Sequence, residues 1–299
     1  MGDAHYTILK ERAVVAVGGE NALEFLQGLV SNDIYRAGPC RAIYAALLTP
    51  QGKFLFDFFV AEANCQLLLD CEAGRADDLI KRLSLFKLRS DVTIYLTDLT
   101  TAAAFGPGVH KLFELEPEAG AATPYGGGAA FVDPRLAEMG VRLLLAPGDS
   151  VKDKDLAESR PDAYEDLRLS QGLPDGCRDI DIDKSTLLEC GFEELHGVDF
   201  DKGCYMGQEL TARTKYRGLV KRRLFPVRIE GPLPEPGAAV ALDGADAGTI
   251  KSGAGDKAIA LLRLQAVADS RASGAKLTAG DTTVIPIEPA WMMATMPGP

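Results

Sequence analysis

The chain has no apolar run long enough to cross a bilayer. Its longest, Ala42 to Leu48 and Phe54 to Ala61, fall well short of the roughly 20 residues a spanning helix needs, which excludes a transmembrane helix. It also lacks an excess of positive charge: 32 Lys and Arg stand against 43 Asp and Glu, for a net charge of −11. A molecule of that sign does not seek nucleic acid or an anionic membrane as a whole, so neither is expected as a partner. Its six cysteines, Cys40, Cys65, Cys71, Cys177, Cys190 and Cys204, contain no CxxC pair. That argues against both a disulfide framework and a zinc ribbon. The histidines, His5, His110 and His196, lie far apart with no ligand spacing to the cysteines, so no metal site is expected. Gly126-Gly127-Gly128 lacks the spacing of a nucleotide-binding glycine motif. The opening Met1-Gly2-Asp3-Ala4-His5-Tyr6 has neither a basic and apolar leader pattern nor a myristoylation signal, and a cytoplasmic location is the expectation.

What is present is ordinary globular usage, with 46% hydrophobic and 25% charged residues over 299 positions, enough chain for two or three units. Arg12 to Val17 reads as a strand, and Asn21 to Val30 spaces Ala22, Phe25, Leu26, Leu29 and Val30 as one face of a helix. Ala42–Leu48 and Phe54–Ala61 flank Thr49-Pro50-Gln51-Gly52, a hairpin signal, with Cys65–Cys71 as a third strand. Arg75–Leu88 is helical and Val92–Leu96 returns to alternation. The region from Thr100 to Ser159 is rich in Ala, Gly and Pro, and its Tyr125–Gly128 run reads as a flexible loop. Pro161 opens a helix that Gly172-Leu173-Pro174 stops. Asp179–Asp183 lacks the Gly and Glu of a calcium loop and reads as solvated. From residue 224 short strands recur: Leu224–Ile229, Ala238–Leu242, Ala247–Ser252, Ala258–Leu264 and Thr282–Ile287, the pattern of a small β-barrel or sandwich against which Trp291 is expected to pack. The fold class is α+β, with residues 1–223 as one region or as two lobes (1–99 and 100–223), and 224–299 as a C-terminal barrel.

One segment carries chemistry. Cys204 stands between Gly203 and Tyr205, with Gly207 close behind, so the backbone there can turn sharply and approach a ligand. Lys202 to Arg223 holds seven basic residues and one acid, reversing the sign of the molecule locally. A positive field raises the thiolate fraction of a cysteine, which gives Cys204 a reason to be nucleophilic, redox-active or close to a cluster. The other five cysteines read as inert core thiols.

Lys202-Gly203-Cys204-Tyr205-Met206-Gly207-Gln208-Glu209, followed by Arg217-Gly218 and Lys221-Arg222-Arg223, resembles the signature of the YgfZ-type folate-binding proteins of the aminomethyltransferase-like (glycine cleavage T-protein-like) family. Phe25-Leu26-Gln27-Gly28 with Ser31-Asn32-Asp33, Leu48 to Lys53, Leu167 to Gly172 and Leu188 to Phe192 match in order, so the resemblance spans nearly the whole chain. Leu210 to Thr214 looks most like the mitochondrial-type branch, whose members assist late iron-sulfur protein assembly. The resemblance implies an aminomethyltransferase-like, multi-lobed folate-binding fold with a C-terminal β-barrel, and tetrahydrofolate or a related folate as cofactor. It implies iron-sulfur client or assembly proteins as partners and Cys204 as the functional residue. Glu189 would bind the pterin, since a carboxylate can accept two parallel N–H bonds from its 2-amino edge. Asn32, Asp33, Arg217, Lys202, Tyr205 and Gln208 would lie in ligand-facing motifs.

The chain departs from that family at one place. Where aminomethyltransferases carry paired aspartates, it reads Phe54-Leu55-Phe56-Asp57-Phe58, so Phe56 replaces one acid. Asp57 then reads either as a pocket acid desolvated by its phenylalanine neighbours or as a strand residue pointing outward. An accessory role in cluster assembly is the first expectation. A folate-dependent aminomethyl transferase using Asp57 as a catalytic acid is the alternative, and a partner protein that keeps the fold without ligand is a third.

Overall fold

The protein was analysed as a computed structural model, which describes residues 4–218 and 220–293. In chain order the first strands and helices are β1 (His5–Ile8), β2 (Arg12–Gly18), α1 (Ala22–Gln27), β3 (Ile43–Leu48), β4 (Phe54–Ala63), β5 (Gln66–Glu72), α2 (Ala76–Lys87) and β6 (Thr93–Leu96). The middle of the chain forms β7 (Thr100–Phe105), α3 (Val109–Leu112), β8 (Ala122–Tyr125), β9 (Gly128–Val132), β10 (Val141–Leu145), β11 (Ala157–Glu158), α4 (Pro161–Gln171), α5 (Gly176–Asp179) and α6 (Gln208–Arg217). The last part supplies β12 (Arg222–Glu230), β13 (Ala239–Leu242), β14 (Ala245–Ala254), β15 (Lys257–Arg263), α7 (Leu264–Ser273), β16 (Leu277–Ala279), β17 (Thr282–Pro286) and α8 (Ala290–Met293).

Two compact units result, each drawn from separated stretches of chain. The first comprises Met1–Pro50, Leu55–Tyr164 and Leu195–Gln208; the second comprises Gln51–Phe54, Glu165–Glu194 and Glu209–Pro299.

The first unit holds two sheets. One is five-stranded in the order β3-β4-β5-β2-β6, the other six-stranded in the order β11-β1-β7-β10-β9-β8. β4 is buried along nearly its whole length, which is why its sequence is almost continuously apolar rather than alternating. Along it, Phe58 and Val60 join Val15, Val17, Leu67 and Leu69 in a core that α1 and α2 cover through Leu26, Leu79 and Leu83. The opposite face carries Asp57 and Phe59, as the period of two requires. Across from Phe59 stands Phe131 of β9, with ring centroids 6.2 Å apart.

That seam is polar. Arg12 Nε donates to Asp70 Oδ1 at 2.8 Å, and Arg142 Nη1 donates to Asp70 Oδ2 at 2.8 Å. Arg135 grips Asp133 with two side-chain bonds, from Nε at 3.0 Å and Nη2 at 2.8 Å. Arg142 and Arg135 also sit over the Phe59 ring, 4.1 and 4.8 Å from its centroid. Asp70, Asp133, Arg135 and Arg142 are all buried, so this is an ion chain in the interior and not a surface decoration.

The glycine run at Gly126–Gly128 is a tight turn and not the flexible loop expected. It joins β8 to β9 in register Tyr125↔Gly128, Gly126 takes φ +54°, and Gly127 N donates to Asp149 Oδ2 at 3.1 Å. A Cβ on Gly128 would lie 1.9 Å from Leu144 O, so close strand approach is what the glycine permits.

In the second unit β12-β15-β14-β13-β16-β17 close into a barrel around Phe225, Val227, Ile250, Ala260 and Leu262. Closure removes every free edge. Trp291 packs on that core, and its Nε1 donates to Gln171 O at 2.8 Å. The sequence pattern missed β16 and α7, short or weakly periodic elements between the strands. Asp179, expected in a solvated loop, is buried: it accepts from Arg168 Nη1 at 3.0 Å and from Ser252 N at 2.9 Å. One charge partner and two backbone donors, Ser252 N and Asp175 N, the latter at 2.8 Å, make its burial tolerable.

Candidate functional site

The segment from Leu195 to Gly207 runs without regular structure over a second segment, Gln27 to Arg36, both within the first unit. Nearly every turn of the first is tied to the second. Asn32 Nδ2 donates to His196 O at 2.7 Å and to Tyr44 O at 2.7 Å. Ser31 Oγ donates to Gly197 O at 2.6 Å and accepts from Ala46 N at 2.8 Å. Asp199 N donates to Ser31 O at 3.0 Å, and Met206 N to Gly28 O at 3.0 Å. Arg36 pairs with Asp199 at 3.3 Å. These are mostly side-chain-to-backbone bonds, the means by which an irregular segment is fixed in one conformation.

Cys204 stands exposed on this fixed segment. Gly203 at φ +91° and Gly207 at φ +82° bracket it in the left-handed region, which glycine enters without penalty. Tyr205 behind it is buried, and Tyr205 N donates to Gln208 Oε1 at 3.0 Å. Met206 packs into the core beneath. The thiol is therefore presented outward by a loop anchored on both sides.

Lys202 does not stand free beside it. Its Nζ donates to Val30 O at 2.6 Å and to Asn32 O at 2.7 Å, and lies 5.2 Å from the Tyr205 ring centroid. Burial pulls its pKa down to about 8, against the opposing pull of Asp33 and Asp199. Asp33 caps a short 3-10 turn at Ile34–Arg36 through Tyr35 N. Of the seven basic residues counted from Lys202 to Arg223, Lys202 alone belongs to the unit that carries Cys204. In the other unit Arg213 is paired with Glu209, Lys215 with Glu193 and Arg223 with Glu194. Pairing reduces the local field that sequence counting suggests.

Asp57 is buried on β4 and accepts from Tyr44 Oη at 2.8 Å. The outward-pointing alternative does not hold. Phe56 faces the other core, with the Arg75 guanidinium 4.1 Å from its centroid.

Glu189 and Arg217 lie in the second unit. Glu189 Oε2 accepts from Thr186 N and from Thr186 Oγ1, both at 2.9 Å. Among the described residues no hydrogen bond to Oε1 occurs, so that oxygen keeps its accepting capacity. Arg217 ends α6 in an exposed position.

Three of the five cysteines expected to be core thiols, Cys40, Cys65 and Cys177, are exposed; Cys71 and Cys190 are buried. Cys65 sits in the β4–β5 turn at φ +58°, where alternation of the strands places it outside the core. Sequence reading also gave no role to Gln27, Ser31, His196 or Asp199. The first two lie inside matched motifs, and that was the signal available.

Residues 221–294 match the model of the CAF17 C-terminal beta-barrel domain. Over 280 residues the chain is 36% identical to the mouse mitochondrial iron-sulfur cluster assembly factor IBA57, covering 87% of this chain and 77% of that protein. This chain belongs to the IBA57 family. The human IBA57 protein is likewise 36% identical, covering 85% and 76%. A crystal structure of the glycine cleavage system aminomethyltransferase T from Bartonella henselae superposes with a TM-score of 0.79 over 97% of this chain and 86% of that one, at 16% identity. The fold is thus aminomethyltransferase-like with a closed C-terminal barrel, as expected. The IBA57 relatives are named as mitochondrial, which overturns the cytoplasmic expectation. That expectation rested on what the first residues lack, and an address resides in a removable segment and not in the fold.

Proposed function

We propose that this protein supports the assembly or repair of iron-sulfur clusters on client proteins, with Cys204 as its functional residue and a tetrahydrofolate as its ligand. The observation that carries the reading is the presentation of Cys204: an exposed thiol on an irregular segment held at Gly197, Asp199, Lys202 and Met206. A thiol so placed can meet a partner's cluster or thiol without rearrangement. Membership of the IBA57 family supplies the process, because its named members are iron-sulfur cluster assembly factors.

The fit to folate rests on Glu189. Its half-buried carboxylate is oriented by Thr186 through Oε2, so Oε1 accepts one N–H of a 2-amino-pyrimidinone edge in place of the two parallel bonds expected from the sequence. Tetrahydrofolate, when bound, would supply N5 and N10 as carriers of one-carbon units. Exposed Arg217 is suited to the folate's anionic tail. Asn32, Asp33, Lys202 and Gln208 take the role of holding the Cys204 segment, as their bonds describe. The transferase alternative gains nothing from Asp57, whose Oδ2 is engaged by Tyr44.

Cells carrying only the Cys204→Ser protein are expected to lose cluster-dependent enzyme activity while the purified variant melts within about 1 °C of the parent. Full enzyme activity in those cells would overturn the role of Cys204. Tetrahydrofolate at 100 times its Kd should stabilise the protein by about 2.7 kcal/mol, and Glu189→Gln should remove most of that; no stabilisation at millimolar ligand would eliminate folate.

A further inference from the structure

Gln27 binds both the Cys204 loop and the turn below it. It closes α1, and both donors of its amide are used. Nε2 donates to Asp33 Oδ1 at 3.0 Å and to Lys202 O at 3.3 Å, while Oε1 accepts from Ile34 N at 2.9 Å. Lys202 O belongs to the peptide that leads into Gly203, two residues before the thiol. Asp33 Oδ1, held by the same Nε2, also caps Tyr35 N. Lys202 returns the connection through Nζ to Val30 O and Asn32 O. The two residues thus form a reciprocal clamp, side chain to backbone in each direction.

We infer that Gln27 is a positioning residue for Cys204, and that it acts through Lys202 O. Gly203 supplies no side chain to hold its own conformation, and a Cβ there would meet nothing within 4 Å. What restrains the approach to Cys204 is therefore the fixed carbonyl before it and the Met206 N to Gly28 O bond after it. Without the amide donor the Lys202 carbonyl loses its bond while Nζ still holds Val30 O and Asn32 O, so the peptide entering Gly203 turns about the lysine side chain and the thiol samples orientations in which it does not meet its partner. The inference rests on the reading of Cys204 given above, and its test separates the two.

Gln27→Glu keeps the shape and the acceptor for Ile34 N. It removes both donors and sets a carboxylate against Asp33. Adding Asp33→Asn restores a donor–acceptor pair between positions 27 and 33 but offers nothing to Lys202 O. Amide hydrogen exchange at 203–206 should rise roughly 2- to 10-fold in both variants, the population change expected for one lost hydrogen bond, while the β2–β5 ladder stays protected. The single variant should melt lower and the double variant should recover that melting temperature. Cluster-dependent enzyme activity in cells should be reduced in both. Recovery of activity together with melting temperature in the double variant would overturn the inference, since a staple between α1 and the 3-10 turn would then account for everything. Unchanged exchange at 203–206 in the single variant would also overturn it. Alkylation of the six cysteines followed by peptide mapping supplies the control: altered labelling confined to Cys204 supports positioning, whereas new labelling of buried Cys71 and Cys190 reports unfolding and counts against it. If Cys204→Ser is itself silent in cells, the proposed function fails while exchange and labelling still decide the clamp.

Discussion

Asp133 offers the sharpest test of how the first unit is held together. Its carboxylate is fully buried and accepts two side-chain bonds and one backbone bond from Arg135, with Arg142 Nε 3.6 Å away. Burial pushes its pKa up, but the charge and hydrogen bonds of Arg135, joined by Arg142, more than reverse that, and the net direction is down. Asp133→Asn preserves volume and removes the charge, leaving the buried Arg135 guanidinium without its bidentate carboxylate. Breaking one partner of a buried pair costs about 3–5 kcal/mol, against a total stability of roughly 5–15 kcal/mol. For a unit of this size that corresponds to a fall in melting temperature of roughly 6–20 °C. Thermal unfolding followed by circular dichroism and by calorimetry measures it. Because the folded pKa lies below the unfolded value of 3.8, the stabilisation is present above that pH and is lost as pH falls through the folded pKa. The variant's deficit should therefore be constant from pH 5 to 8 and shrink below about pH 4. Replacing both partners, Asp133→Leu with Arg135→Met, should recover much of the loss, since a buried ion pair gains little over well-packed apolar groups. A fall under about 2 °C for Asp133→Asn, or a double variant worse than the sum of its singles, would refute the account.

Two further outcomes follow from the site. Lys202 has a folded pKa of about 8 against an unfolded 10.5, so between those values the unfolded chain binds more protons and stability rises with pH; Lys202→Met should remove that part of the rise, measured as the difference in melting temperature between the two proteins from pH 7.5 to 10. Native alkylation should label Cys40, Cys65, Cys177 and Cys204 and spare Cys71 and Cys190; Cys71, whose thiol burial pushes up to about 12 despite Arg12, should resist even at pH 9, and its labelling before unfolding would contradict the described core.

Much of the fold was legible. β2, β3, β4, β5 and β12 follow apolar runs or alternation bounded by turn residues, a local signal set by side-chain direction. Pro161 starts α4 and Gly172 at φ +71° ends it, again chemistry that acts within a few residues. The glycine run at Gly126–Gly128 was misread because a tight turn and a flexible loop share composition; the difference lies in Asp149 and Leu144, about 20 residues away in sequence. Cys65 and Cys177 were misplaced because exposure depends on which side of a sheet or turn faces the core.

The sequence by itself determined the α+β class, the C-terminal barrel and the segment around Cys204, since periodicity and an eight-residue motif are written along the chain. Only the tertiary structure decided what surrounds that cysteine. The sign reversal counted along Lys202 to Arg223 divides between two units, with Glu193, Glu194 and Glu209 neutralising part of it. Asn32 and Lys202 spend their donors on backbone carbonyls as much as 172 residues distant. Hydrogen bonds between segments so far apart leave no periodic trace, because nothing in the local chain records which carbonyl a side chain will meet.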